Sequence, residues 1–190
     1  MKDVLVTTTC ETPLGTATLA SDGASLTGLW LEGQKYFGPP AKTEVRALPS
    51  VSSDSAFATS PEQSRTAAAR AVFDQTQRWL ELYFSGQEPD FCPPLDPDGT
   101  DFQKTVWSVL RTIPYGDTLT YGEVSKLVAA KLGRSAMSAQ AVGGAVGRNP
   151  ISIIVPCHRV IGADGSLTGY AGGLWRKEKL LRLERGEKEP

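Results

Sequence analysis

Residues 156–160, Pro-Cys-His-Arg-Val, bring a thiol, an imidazole and a guanidinium together at the end of an apolar run. A neutral thiol is a poor nucleophile. Its pKa, about 8.5, must fall for it to react, and nearby bases, cations and helix N-termini lower it. His158 is the chain's one histidine, so it is the candidate base for Cys157. Adjacent residues on a strand point to opposite faces. His158 therefore serves Cys157 only where the strand ends at Pro156 and the chain turns. Without that turn, the dipeptide reads more readily as a buried cysteine beside a surface histidine. The other cysteines, Cys10 and Cys92, are far apart in sequence. An odd, scattered set does not make a disulfide framework, and with a single histidine it does not make a zinc site. No metal and no cofactor is expected.

The elements that must carry Cys157 follow from periodicity and punctuation. Val4-Leu5-Val6, residues 14–20 and residues 25–31 read as strands, with Ser21-Asp22-Gly23 as a hairpin turn. Residues 38–60 are rich in Pro, Ser and Ala without a period and read as a loop. Ser60 and Pro61 then start a helix as cap and first residue. On it Val72, Phe73, Thr76, Trp79, Leu80, Tyr83 and Phe84 share a face, and Gly86 ends it. Residues 87–99 hold four prolines and read as a linker. Beyond it, Thr100/Gln103 and Thr120/Glu123 have the form of capping boxes that open two helices. Ser138 opens a third, made of small residues. Two short helices joined at Gly133 suggest a helix-turn-helix. Residues 151–155 read as a buried β run, and residues 176–185 as a last helix stopped by Gly186. The fold class is α+β: an N-terminal sheet-and-helix domain over 1–90, a linker over 91–99, and a mostly helical C-terminal domain over 100–190.

Net charge is −1, but it is divided unevenly. From residue 101 onward there are 13 Lys and Arg against 8 Asp and Glu, or +5; before it there are 7 against 13, or −6. A basic half is the footprint of phosphate contact, although asymmetry of this size also arises by chance. No apolar run approaches the roughly 20 residues a membrane helix needs. The polar start of the chain lacks the pattern of a secretory signal, so an intracellular protein is expected.

The stretch 149–162, Asn-Pro-Ile-Ser-Ile-Ile-Val-Pro-Cys-His-Arg-Val-Ile-Gly, resembles the active-site signature of O6-alkylguanine-DNA alkyltransferases. Gly169-Tyr170-Ala171-Gly172-Gly173, the Lys177 to Glu184 segment and residues 113–124 resemble other motifs of that family, in the same order. The resemblance covers about 85 residues, from Phe102 to Gly186, and implies an RNase H-like N-terminal domain before them. It also implies roles. Cys157 would accept an alkyl group irreversibly from O6-alkylguanine, and less well from O4-alkylthymine, in a single turnover. His158 would take the thiol proton through a water. Glu184 would hold the imidazole and favour its charged form. Asn149 would brace the turn, and Tyr121 would donate to the departing guanine. Val160, Tyr170, Ala171, Gly172 and Lys177 would line the base pocket.

The same resemblance makes double-stranded DNA the partner. The small-residue helix with Ala139, Gln140, Ala141, Gly143, Gly144 and Arg148 would enter the minor groove while the target base is flipped out. On sequence alone, those small residues serve equally well as a close helix-packing face. Gln140 stands where many members have an arginine, so it would fill the flipped base's place without a charge. Ala171 stands where a hydroxyl residue is often found, which would widen substrate tolerance. By analogy the protein would be a bacterial, cytoplasmic monomer. A non-catalytic protein that binds alkylated DNA is the alternative reading, and a cysteine hydrolase a more distant one.

Overall fold

The computed structural model describes residues 4–39, 43–48 and 61–187, and the chain divides into two compact units. The start of the chain, the cap at Ser60 and most of the expected 38–60 loop lie outside the described residues.

The first unit, Met1–Glu32 and Phe37–Pro97, is built on a four-stranded sheet in the order β3-β2-β1-β4. β1 (Val4–Thr12), β2 (Gly15–Ser21) and β3 (Leu26–Leu31) form an antiparallel meander, and β4 (Glu44–Ala47) pairs parallel with β1. The apolar strand residues Ala17, Leu19, Leu29 and Leu31 are fully buried. The helix α1 (Pro61–Phe84) packs on the sheet through Ala69, Val72, Phe73, Thr76, Trp79, Leu80 and Tyr83. These recur every three or four residues, as one face of a helix requires. Trp79 and Tyr83 stack with ring centroids 5.2 Å apart.

Two expectations change in this unit. β4 lies where the sequence reads as loop. Its four residues are all exposed, so it carries no hydrophobic alternation to announce it. The proline-rich stretch after α1 is also tied to the sheet. The Leu26 N–H donates to the Pro94 carbonyl at 2.7 Å, and the Asp96 N–H donates to the Leu26 carbonyl at 3.0 Å.

The second unit, Gly33–Tyr36 and Asp98–Pro190, holds three mutually packed helices: α2 (Asp101–Leu110), α3 (Tyr121–Lys131) and α4 (Ala139–Gly147). Thr100/Gln103 and Thr120/Glu123 form complete capping boxes, satisfying N–H groups that the first helical turn leaves without partners. Ser138 caps α4. The buried Trp107 ring N–H donates to the Ala145 carbonyl at 2.9 Å and locks α2 to α4. The last helix, α5 (Leu174–Glu184), starts two residues before the expected Arg176.

Residues 151–155 are buried as expected, but they are not a strand. Apart from one bridge at Ile151 they form a turn, with Ile153 at φ 70°. A continuous apolar run signals burial without distinguishing an extended chain from a coiled one. Only after Pro156 do a single 3₁₀ turn, Cys157–Arg159, and a short strand, β6 (Val160–Ile161), follow. β6 pairs parallel with β5 (Leu119–Thr120).

Candidate active site

No strand leads into Pro156, but the chain turns there and Cys157 and His158 lie together in the 3₁₀ turn. Every residue from Ile151 to Val160 is buried, and Cys157 is 6% exposed. An irregular buried segment needs partners for its backbone groups, and Asn149 supplies them. Its Oδ1 accepts from the Ile151 N–H at 3.0 Å. Its Nδ2 donates to the carbonyls of Ile151 at 3.1 Å and Val155 at 2.8 Å, and to Cys157 Sγ at 3.1 Å. One amide thus fixes the turn and the sulfur together. A β-branched residue at positive φ, as at Ile153, costs on the order of 1–3 kcal/mol and persists only where the surroundings hold it.

His158 is fully buried, and its Nε2 lies 2.7 Å from Glu184 Oε1. Arg159, which the sequence reading places at the site without a role, closes a network around the same carboxylate. Its Nε donates to Glu184 Oε2 and its Nη2 to Oε1, both at 2.9 Å, and its Nη1 donates to the Ile113 carbonyl at 2.6 Å. The Gly116 N–H adds a bond to Glu184 Oε2 at 3.2 Å. Gly116 has φ 81°, and a Cβ there would sit 3.3 Å from the Glu184 carbonyl oxygen, so glycine suits this close approach.

Electrostatics set the resting protonation. Burial pushes the Cys157 thiol up, with Asn149 and Lys177 opposing it. Burial pushes the His158 imidazole down, and Glu184 only partly offsets this. Glu184 does favour the charged imidazole, as expected, but burial wins. Burial also raises the Glu184 carboxyl, yet the hydrogen bonds from His158 and Arg159 and the Arg159 charge outweigh it and hold the group well below the usual carboxylate range. Glu184 is therefore ionised, and the site rests as a neutral thiol beside a neutral imidazole.

The expected pocket residues converge on the same place. Val160 is fully buried in β6. Lys177, buried on α5, donates from Nζ to the Val160 carbonyl at 2.5 Å and the Thr168 carbonyl at 2.6 Å. Burial lowers its pKa to about 8, against the pull of Cys157. The Tyr170 hydroxyl is buried without a hydrogen-bond partner. Burial, with Cys157 adding, drives its pKa well up. The Ser152 hydroxyl opposes this from nearby, outside the geometry of a hydrogen bond. Gly172 is buried and Ala171 half-buried on the same loop.

Tyr121, the first residue of α3, donates its hydroxyl to the Thr168 carbonyl at 3.2 Å. Burial and Cys157 both raise its pKa, so the phenol keeps its proton. A Cβ on Gly169 would lie 2.6 Å from that hydroxyl, and Gly169 has φ 66°. Only glycine lets the loop pass the phenol there.

The small-residue helix divides into two faces. Val142, Ala145 and Val146 are buried, while Ala139, Gln140, Ala141 and Gly144 are exposed, as is Arg148 just past the helix end. Gly143 is half-buried, and a Cβ there would lie 3.6 Å from the Tyr121 ring. Close packing and an accessible smooth face are thus both present, on opposite sides.

Known proteins resemble this chain along most of its length. The family model described as 6-O-methylguanine DNA methyltransferase, ribonuclease-like domain, matches residues 5–97; the one described as its DNA binding domain matches residues 101–186. The methylated-DNA–protein-cysteine methyltransferase of Mycobacterium tuberculosis is 43% identical over 177 residues, 93% of this chain and 90% of that protein. Its namesake in Methanosarcina acetivorans is 54% identical over 112 residues, 59% of this chain and 69% of its own. A crystal structure of Mycobacterium tuberculosis OGT in complex with DNA matches with a TM-score of 0.71 at 38% identity, covering 96% of this chain and 93% of that one.

Proposed function

The chain belongs to the 6-O-methylguanine DNA methyltransferase family, and on that premise we propose that it repairs O6-alkylguanine in duplex DNA by moving the alkyl group onto Cys157. The observation that carries this reading is the placement of Cys157 Sγ, 3.1 Å from Asn149 Nδ2, on the turn that also holds His158 against an ionised Glu184. With Glu184 ionised, His158 Nε2 carries the ring proton and Nδ1 keeps a lone pair for the thiol proton. The thiolate attacks the alkyl carbon in line, a carbon–sulfur bond forms, and the carbon–oxygen bond to guanine breaks with its electron pair. Tyr121, still protonated, donates to the leaving base as its negative charge develops, and Asn149 holds the sulfur. The product thioether has no group beside it suited to its hydrolysis, so each molecule acts once.

An O6 substituent inside a stacked duplex is out of reach, so the base is flipped. The exposed face of α4 enters the minor groove, with Gln140 filling the vacated place. Ala139, Ala141 and Gly144 allow close approach, Gly143 backs Tyr121, and Arg148 meets phosphate. The flipped base sits among Val160, Tyr170, Ala171, Gly172 and Lys177. The lone Tyr170 hydroxyl supports this, because a buried polar atom without a partner is costly and a bound base can supply one. O4-alkylthymine is a poorer substrate.

None of Cys10, Cys92 and Cys157 is in a disulfide, which suits a reducing cytoplasm, and the protein acts there as a monomer. Among the described residues no helix is long and apolar enough to cross a membrane.

The test is incubation with a duplex carrying one O6-methylguanine, followed by mass spectrometry of the peptides. One methyl group on the Cys157 peptide is expected, with none transferred by Cys157→Ala. Tight binding without transfer would favour a lesion-binding protein instead. DNA demethylated by Cys157→Ala would overturn the mechanism.

A further inference from the structure

Four residues from early in the chain, Gly33–Tyr36, pack with the second unit. Gln34 is buried at 5% exposure, and its Oε1 accepts from Ser152 Oγ, itself 3% exposed, at 3.1 Å. Ser152 lies in the turn that Asn149 braces, next to the left-handed Ile153. The following residue faces the other side of the site: the Lys35 N–H donates to the Ala171 carbonyl at 2.9 Å. Tyr36 then takes φ 60°, and the Arg148 guanidinium sits 5.1 Å from its ring centroid. One short segment thus touches the active-site turn, the 169–173 loop and the end of α4.

Neighbouring Cα atoms are about 3.8 Å apart across a trans peptide. The Gln34-Lys35 dipeptide therefore links the Ser152 turn to the Ala171 loop through one short stretch of chain. Packing alone would be met by an apolar side chain, since a buried amide is costly unless its hydrogen bonds are made. What the amide adds is direction: it holds the Ser152 hydroxyl and, with it, the turn.

We propose that Gln34 is a positioning and specificity-determining residue for alkyl transfer, setting the spacing between the Ser152 turn, which leads to Cys157, and the Ala171 loop of the base pocket, and hence the size of O6 substituent that reacts well. This rests on the alkyl-transfer reading above.

The test compares the full-length wild type with Gln34→Met, Ser152→Ala and the double variant. Cys157 alkylation is followed at saturating duplex carrying either O6-methylguanine or O6-benzylguanine. Loss of one hydrogen bond of typical net strength slows methyl transfer about fivefold. Benzyl transfer changes less, because the freed turn and loop part around the larger group, so the benzyl-to-methyl rate ratio rises by up to that factor. Ser152→Ala gives a rise in the same direction, and the double variant falls short of the two single effects combined, as two members of one contact should behave. Ser152→Ala removes a single oxygen, so it carries the test even if Gln34→Met fails to fold. The proposal is overturned if the ratio stays at its wild-type value in Ser152→Ala, if the two effects add in the double variant, or if only duplex affinity changes. Failure of the wild type to methylate Cys157 would instead overturn the alkyl-transfer reading, a separate outcome.

Discussion

Glu184 is the carboxylate on which His158, Arg159 and the Gly116 N–H converge, and it works in two opposed ways. It raises the imidazole pKa through its charge and hydrogen bond, yet burial keeps that pKa below its ordinary 6.5. A base whose pKa is lowered stays deprotonated, and so usable, to lower pH. Single-turnover transfer should therefore hold its neutral rate through pH 6.5 and decline only below it, as His158 protonates. In Glu184→Gln the contributions that raise His158 are gone, so this acid limb moves to still lower pH. The plateau falls about 100-fold, the low end of what a positioned base contributes. The two readouts move independently of folding, which is followed by thermal melting because Arg159 loses its buried partner. An acid limb that moves to higher pH would contradict this account of Glu184.

At the scale of elements, α4 shows what the sequence could and could not reveal. Its cap at Ser138 and its run of small residues were legible, as were both capping boxes, because these signals are local. Which face of α4 points outward was not, since small residues suit burial and exposure alike. The 151–155 turn was mistaken for a strand because ten consecutive buried residues erase any period. β4 was missed for the opposite reason, as all four of its residues are exposed. Gln34 was invisible because its partner lies 118 residues away and no local pattern joins them. The exposed face of α4 can be tested directly. A Cβ on Gly144 would meet nothing closer than Arg148 Nη1 at 3.9 Å, and leucine is a better helix former than glycine by about 0.8–1 kcal/mol. Gly144→Leu should thus melt no lower than the wild type and react normally with free O6-benzylguanine, while binding duplex DNA at least tenfold more weakly. Unchanged duplex affinity, measured by fluorescence anisotropy, would remove this face from the interface.

Over the whole molecule the formal charge of −1 conceals opposite halves: residues from 101 onward carry 13 basic against 8 acidic side chains, and those before carry 7 against 13. If the basic half meets phosphate, duplex binding releases condensed counterions and weakens with salt. Net charge near zero predicts no such sensitivity. For about four phosphate contacts the slope of log affinity against log salt is about −3.6, so affinity falls about 100-fold between 50 and 200 mM salt. Arg148→Ala, which removes an exposed cation just past the end of α4, should make that slope shallower by about one. Alkylation of Cys157 by the free modified base crosses no phosphate, and the resting thiol and imidazole are both neutral. Its rate should therefore stay level over the same salt range. A parallel fall in both reactions would place the salt effect on the fold or on Cys157 itself, and would remove the basic half as the source of affinity.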